Sequence, residues 1–260
     1  MNRVRIALLS AIMVFICAAN VRAGNIGTYS VGQLVPLVYT DGGSIDTVVG
    51  ITVTNGPALI NWNFYDADGR NVAGGQLQVP TRTGFIPFSW EANAQKFTNE
   101  DGYLIFTSST ATIPIAANAL YVDSASGDAV FIPVTPTDIK GSPGSLTVAY
   151  VDTRYWIDPE YQASTQMVYW TNCDATGSHM ATFYSDNGEY KDLFMNFTNK
   201  SLNVVDPSSV QDIPSYFING FNMMSAIGLC ASVKNPYVIA FSLVSSNKMK
   251  ATQTLLGEIR

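Results

Sequence analysis

The stretch LINWNFYDADGRNV, residues 59–72, decides the fold class of this chain. Within it Ile60, Trp62 and Phe64 alternate with other positions, and a period of two places these three side chains on one face of a half-buried β-strand. The DADGR segment that follows has Gly69 where a tight turn needs a positive φ. The stretch therefore predicts a β-hairpin with an apolar inner face.

Short alternating or apolar runs of this kind recur along the chain, and Gly, Asn, Asp and Pro interrupt them at short intervals. FYSDNGEY, residues 183–190, predicts a second hairpin around Asn187 and Gly188. Such runs are typical of antiparallel sheets. The hairpin pattern resembles that of immunoglobulin-like sandwich domains. We therefore expect an all-β, antiparallel β-sandwich of immunoglobulin-like general character, with two packed β-rich halves and little helix.

Four prolines follow an apolar or β-branched pair in the first half of the chain, at Pro36, Pro87, Pro114 and Pro133. Proline has no N–H group to donate to a strand ladder. We therefore expect these prolines at strand starts, sheet edges or β-bulges.

The composition changes in TPTDIKGSPGS, residues 135–145, which is polar and rich in Pro and Gly. Segments of this kind connect domains or form long loops. We predict a first β-sandwich half at residues 24–138, a linker or long loop at 139–145, and a second β-rich half at 146–260.

The N-terminus has the order of a secretory signal peptide over residues 1–23. Arg3 and Arg5 precede a 14-residue apolar run, Ile6–Ala19, and cleavage is expected after Ala23. The run is shorter than the roughly 20 residues that a membrane-spanning helix needs. We therefore predict a secreted, periplasmic or cell-surface protein with no membrane span after cleavage.

Cysteine usage fits export. Cys17 lies in the predicted signal peptide, and the bulky Ile16 before it disfavours lipid attachment there. Cys173 and Cys230 stay in the mature chain, where an oxidising compartment favours one disulfide between them. The alternative is two separately buried thiols.

The charge of the chain excludes one class of partner. The formal charge is −6, and removal of Arg3, Arg5 and Arg22 leaves 11 basic against 20 acidic residues, a formal −9. An acidic chain without a basic cluster is a poor binder of polyanions. Nucleic acid is therefore not an expected partner, and the sequence predicts no particular oligomeric state.

The sequence assembles no catalytic motif, and we predict no catalytic residues. His179 is the single histidine, and no G-x-S-x-G motif is present. Asp66 and Asp68 in the DADG turn resemble the start of a calcium loop, but the later acidic positions of an EF-hand do not follow. We therefore expect no cofactor, and leave open a structural calcium ion at these two carboxylates.

Aromatic and acidic residues crowd together in RYWIDPEY, residues 154–161. Aromatic rings beside hydrogen-bonding groups are suited to recognition of sugars or peptides. The candidate binding residues are Tyr155, Trp156, Asp158, Glu160 and Tyr161. In the alternative interpretation Trp156 caps the core between the two halves.

These observations predict an exported, non-catalytic β-sandwich protein. It would act as a surface, extracellular-matrix or adhesion component and would contact protein or glycan. The alternative is a secreted hydrolase of glycans or other polymers, which would use a pair of carboxylates in a cleft between the halves.

Overall fold

The computed structural model describes residues 28–54, 56–80, 85–94, 96–144, 150–231, 233 and 236–257. The predicted signal peptide lies outside these residues. The described chain consists mainly of antiparallel strands, with two very short α-helices, α1 (Trp90–Ala94) and α2 (Ala226–Leu229). Within the described ranges, the helices are too short and too polar for any of them to cross a membrane.

The first half contains two sheets. Sheet A has the strand order β5-β2-β7-β8, and sheet B has the order β4-β3-β6-β1-β9. The strands of sheet A are β2 (Ile45–Val53), β5 (Phe85–Ser89), β7 (Ile115–Asp123) and β8 (Asp128–Ile132). The strands of sheet B are β1 (Gly32–Val38), β3 (Ala58–Asp66), β4 (Asn71–Val79), β6 (Gly102–Ser108) and β9 (Thr135–Thr137).

The second half contains two further sheets. Sheet C has the order β10-β15-β12-β13, and sheet D has the order β14-β11-β16-β17. The strands of sheet C are β10 (Tyr150–Trp156), β12 (Gly177–Ser185), β13 (Tyr190–Phe197) and β15 (Asn219–Ser225). The strands of sheet D are β11 (Ala163–Thr171), β14 (Leu202–Val205), β16 (Val238–Ser246) and β17 (Ala251–Leu256).

These sheets confirm the prediction of an all-β antiparallel sandwich with little helix. Both predicted hairpins are present, as β3–β4 and β12–β13. Gly69 and Gly188 adopt φ values of 81° and 87° in their turns, a region that favours glycine. The predicted linker at 139–145 falls between β9 and β10. The immunoglobulin-like character and the division into domains stay predictions.

Sheet B packs against sheet A and contacts sheet D, sheet D packs against sheet C, and the central residues of β11 and β16 in sheet D are buried on both faces. Met167 and Tyr169 on β11 lie in the core shared with sheet C, whereas Val168 and Trp170 lie in the core of the first half. The Trp170 ring meets that of Tyr103 on β6 with centroids 5.6 Å apart. Strands buried on both faces are apolar almost throughout, because neither side meets water.

Sheet B is the other inner layer. Alternate residues of β6 face opposite ways, so that Tyr103 faces sheet D while Phe106 packs edge-on against Phe88 of sheet A, with centroids 5.3 Å apart. All seven residues of β6 are buried. The two halves therefore share one continuous hydrophobic core.

The prolines lie where a missing N–H group is tolerated. Pro36 lies at a register shift in β1, and Pro87 lies in the edge strand β5. Pro114 directly precedes β7, and Pro133 directly follows β8. Pro36, Pro87 and Pro114 confirm the expectation of strand starts, edges and bulges, whereas Pro133 lies just beyond a strand end.

Candidate functional site

The outer face of sheet C exposes an unusual set of side chains. In β12, Ala181 and Phe183 are buried, whereas Met180 and Tyr184 alternate with them on the opposite side of the strand. The strands β13 and β15 alternate in the same way, and β10 does so except at Asp152, which is buried. We call the resulting surface the aromatic face, and its members are Tyr150, Arg154, Met180, Tyr184, Tyr190, Phe194 and Phe221.

One row of the aromatic face crosses all four strands. Tyr184 lies opposite Tyr190 on β13 and opposite Phe221 on β15, and Phe221 lies opposite Arg154 on β10. The ring centroids of Tyr184 and Tyr190 are 5.9 Å apart, and those of Tyr184 and Phe221 are 4.6 Å apart in a stacked arrangement. The Arg154 guanidinium lies 5.7 Å from the centre of the Phe221 ring. Such contacts hold these outward side chains in place.

Several members of the face are largely exposed. Phe194 and Met180 lie directly opposite each other and are 62% and 60% exposed. Tyr190 is 68% exposed and Tyr150 is 45% exposed. The hydrogen-bonded polar pair of Thr182 and Asp192 lies between Met180 with Phe194 and the row of Tyr184 and Tyr190. Large apolar side chains exposed together on one sheet face favour contact with another molecule.

The aromatic face ends at an open sheet edge. In the part of the chain that the structure describes, β13 pairs with β12 on one side and with no strand on the other. An unpaired edge presents free backbone donors and acceptors. Natural proteins usually protect such an edge with charges, and β13 has Lys191 and Asp192 together with the exposed Tyr190 and Phe194.

Three of the five predicted binding residues, Trp156, Glu160 and Tyr161, lie at the surface, close to this face. Trp156 follows Arg154 by two positions on β10 and therefore lies on the same side of the sheet. Its ring centroid is 5.4 Å from that of Tyr161. Lys248 Nζ lies 4.8 Å from the centre of the Tyr161 ring and 3.8 Å from Glu160 Oε1.

The other two predicted binding residues have contacts within the fold. Tyr155 is 1% exposed in the core, and its hydroxyl donates a hydrogen bond to Tyr184 O at 2.9 Å. Asp158 caps the 3₁₀ helix Pro159–Tyr161, accepting a hydrogen bond from Glu160 N at 2.8 Å. In RYWIDPEY, Trp156 therefore lies at the border of the aromatic face, and Tyr155 contacts the backbone of that face from the core side.

The two candidate calcium ligands lie on the β3–β4 turn beside an arginine. Arg70 Nη2 is 2.6 Å from Asp68 Oδ2, and Arg70 Nη1 is 3.9 Å from Asp66 Oδ2. Lys200 N donates a weaker hydrogen bond to Asp68 Oδ1 at 3.4 Å. Among the described residues no three His, Cys, Asp or Glu side chains gather as metal ligands would. A calcium ion here stays a prediction.

Cys173 and Cys230 form a disulfide with their Cα atoms 5.7 Å apart, which confirms the predicted pairing. His179 lies in β12, where its Nε2 atom is 2.8 Å from Ala175 O. These contacts assign the cysteines and the histidine structural roles.

The sequence predicted the hairpin at Asn187 and Gly188 that joins β12 to β13, but it predicted neither β15 nor the aromatic face. The available signal was in KDLFMNF, residues 191–197, where Phe194 has the opposite parity to the buried Leu193 and Met195. A half-buried strand normally has polar residues at its outward positions. Apolar residues on both sides of a hairpin strand therefore point either to a second buried face or to a contact surface.

Neither protein-family models nor the curated proteins contain a match to this chain.

Proposed function

We propose that this protein is exported and acts outside the cytoplasm as a non-catalytic component of a cell surface or matrix. In this proposal it contacts a partner protein through the aromatic face of sheet C. The single observation that carries the proposal is the exposure of Phe194, Met180 and Tyr190 together on the outer face of sheet C, beside the open edge of β13.

A comparison within the chain supports this choice of surface. The β3–β4 hairpin also ends at a sheet edge, but its outward positions carry amides. Gln76 Nε2 donates to Asn61 Oδ1 at 3.0 Å, and Asn71 Nδ2 donates to Asn63 Oδ1 at 3.1 Å. Phe194 and Met180 are outward residues of the β12–β13 hairpin, which also ends at a sheet edge. The two edge hairpins thus differ in what they expose, and the apolar one is the better candidate for a contact surface.

The ring geometry favours a protein partner over a glycan at this surface. A sugar ring stacks on a free aromatic face, whereas Tyr184 and Phe221 stack on each other and Arg154 covers Phe221. The exposed Met180 is flexible and polarisable, and Met and aromatic residues are enriched in protein interfaces. The aromatic face therefore resembles a protein-binding surface more than a sugar platform.

The proposed location is supported by two observations. The N-terminal arrangement of Arg3, Arg5 and an apolar run is that of a secretory signal. The disulfide between Cys173 and Cys230 suits an oxidising compartment.

Retention at the cell surface tests the proposal. The protein is expressed with its own N-terminus in the producing organism, and immunoblots of washed cells and culture fluid give the retained fraction. Replacing both Tyr190 and Phe194 by Ser is expected to weaken retention by at least about tenfold, because exposed aromatic anchors dominate binding energy. The free energy of unfolding should change by less than about 1 kcal/mol, since both side chains lie on the surface.

Asn196→Ser is the matched control, because Asn196 is also an outward residue of β13. Equal retention of the double variant and this control would contradict the proposed surface. N-terminal sequencing of the exported protein should begin at Gly24, and cytoplasmic protein that still begins at Met1 would contradict the proposed location.

A further inference from the structure

A cleft of about 250 Å³ lies between the two halves of the molecule. One wall comes from the first half, at the β7–β8 hairpin, with Tyr121, Asp123 and Asp128. The other wall comes from sheet D, with Ser164 and Ser245 among its residues. The cleft is separate from the aromatic face of sheet C.

The sheet D wall is the polar end of a face that is otherwise apolar. On β11, Trp170 and Val168 pack against the first half, and the next residues of the same parity are Gln166 and Ser164. The side-chain direction repeats every two residues, so all four lie on one face. The face thus changes from hydrophobic to hydrogen-bonding at the point where it reaches the cleft.

Three hydroxyl groups form a row across this wall. Ser164 pairs with Ser245 on β16, and Ser245 pairs with Thr252 on β17. The Ser164 and Ser245 Oγ atoms are 3.2 Å apart. A hydroxyl group both donates and accepts, so this row can bind groups of either kind.

The opposite wall supplies hydrogen-bond acceptors. Asp123 and Asp128 are directly paired across the β7–β8 hairpin. Burial raises the pKa of Asp123, but hydrogen bonds from the Ser126 hydroxyl and from Ala125 N outweigh this and hold the pKa below its ordinary value. Asp123 is therefore ionised at neutral pH. Tyr121 adds an aromatic ring to the same wall.

We infer that this cleft binds a single residue of a neutral sugar. Sugar hydroxyl groups donate hydrogen bonds to carboxylates, and they exchange hydrogen bonds with the hydroxyl groups of Ser and Thr and with side-chain amides. The lining of the cleft contains carboxylates, hydroxyl groups and amides. A cleft of about 250 Å³ is small, which suits one sugar ring better than a long segment.

The lining disfavours other ligand classes. Asp123 and Asp128 outnumber Lys250, which also lines the cleft, so the lining disfavours a phosphate or another anion. The hydroxyl row would lose its hydrogen bonds beneath an apolar ligand. Among the residues that the structure describes, no group of three metal-ligating side chains surrounds the cleft, which disfavours a divalent cation.

Asp123 is not suited to be the proton donor of a glycosidase. Hydrolysis of a glycosidic bond needs one carboxylic acid that stays protonated, which requires a raised pKa. Asp123 has a lowered pKa, and its carboxylate oxygens are engaged by Ala125 and Ser126 of its own turn. Asp123 therefore does not supply the proton donor that the alternative hypothesis, a hydrolase with a pair of carboxylates, requires.

Saturation-transfer NMR tests the inference. The oxidised mature protein is mixed with millimolar glucose, galactose, mannose, N-acetylglucosamine, cellobiose or lactose, one at a time. At least one sugar should receive saturation, and Gln166→Ala should weaken its binding by about tenfold because one hydrogen bond to the ligand is lost. Gln76→Ala is the matched control, since Gln76 is an exposed amide on β4, far along the chain from every cleft residue.

Three results would overturn the inference. The first is no transfer to any of the six sugars. The second is equal binding by Gln166→Ala and Gln76→Ala while both variants give the dispersed methyl spectrum of the wild type. The third is the appearance of monosaccharide from cellobiose or lactose, which would replace a binding site by a hydrolytic one.

Discussion

The disulfide gives the most quantitative prediction. Replacing both Cys173 and Cys230 by Ala removes a cross-link between positions 57 residues apart. In the chain-entropy description, opening a loop of this length destabilises the folded state by about 4 kcal/mol. Because a domain of this kind is stable by roughly 5–15 kcal/mol in total, the loss is large. Urea denaturation followed by tryptophan fluorescence measures it.

The position of the cross-link also predicts where the loss appears. The closed loop contains β12, β13 and β15, which are three of the four strands of sheet C. The first half and β11 lie outside the loop. We therefore expect hydrogen exchange in β12 and β13 to accelerate more than exchange in β2 and β7, because local opening of sheet C becomes easier.

Chemical reduction of the disulfide in the wild type is the control that separates loss of the cross-link from the cavity left by the two alanines. Cys173 and Cys230 are both buried, so removal of their sulfur atoms has a packing cost of its own, which reduction alone avoids. The reduced wild type should lose most of the same free energy of unfolding. A loss below about 1 kcal/mol in both proteins would refute the argument that the cross-link limits the unfolded state of the second half.

Two further predictions concern the shared core and the pH dependence of stability. Trp170 is 4% exposed and packs against Tyr103, so Trp170→Ala should lower the free energy of unfolding by about 3–5 kcal/mol. Urea should unfold this variant in one cooperative transition, and two separate transitions would contradict a shared core. Burial raises the pKa of Asp46 from 3.8 to about 6 against hydrogen bonds from Ser89 Oγ and Glu91 N, so the protonated form is favoured in the folded state. Relative to Asp46→Asn, the wild type should lose up to about 3 kcal/mol as the pH rises from 4 to 7, and parallel stability curves for the two proteins would refute this.

The sequence was most informative about local structure. The alternation of Ile60, Trp62 and Phe64 and the turn at Gly69 were enough to predict a hairpin, because strand direction and turn geometry depend on near neighbours. The disulfide followed from two cysteines and an export signal. The four-layer stack was not predicted, although MVYWT at 167–171 is apolar on both faces. Such a run is consistent with burial between two sheets and does not identify the second sheet.

The aromatic face was harder to predict because its residues are distant in sequence. Arg154 and Phe221 are neighbours only once β10 pairs with β15, and Tyr184 joins them only through β12. Register between strands depends on long-range pairing that no local pattern specifies. The prediction from RYWIDPEY therefore found Trp156 at the border of the face, where aromatic residues are adjacent in the chain.

The DADG turn resembles the start of a calcium loop, but its observed contacts join the two halves of the molecule. Ala67 O accepts hydrogen bonds from Ser201 N at 3.0 Å and from Leu202 N at 2.9 Å, so the turn of the first half is bound to the second half. A Cβ atom at Gly69 would lie 2.7 Å from Ser201 Oγ, so the turn also needs glycine for close approach. The same hydrogen bonds fix one half against the other at a point remote from the cleft. Because the cleft has one wall from each half, a fixed arrangement of the halves is what allows its two walls to bind one ligand together.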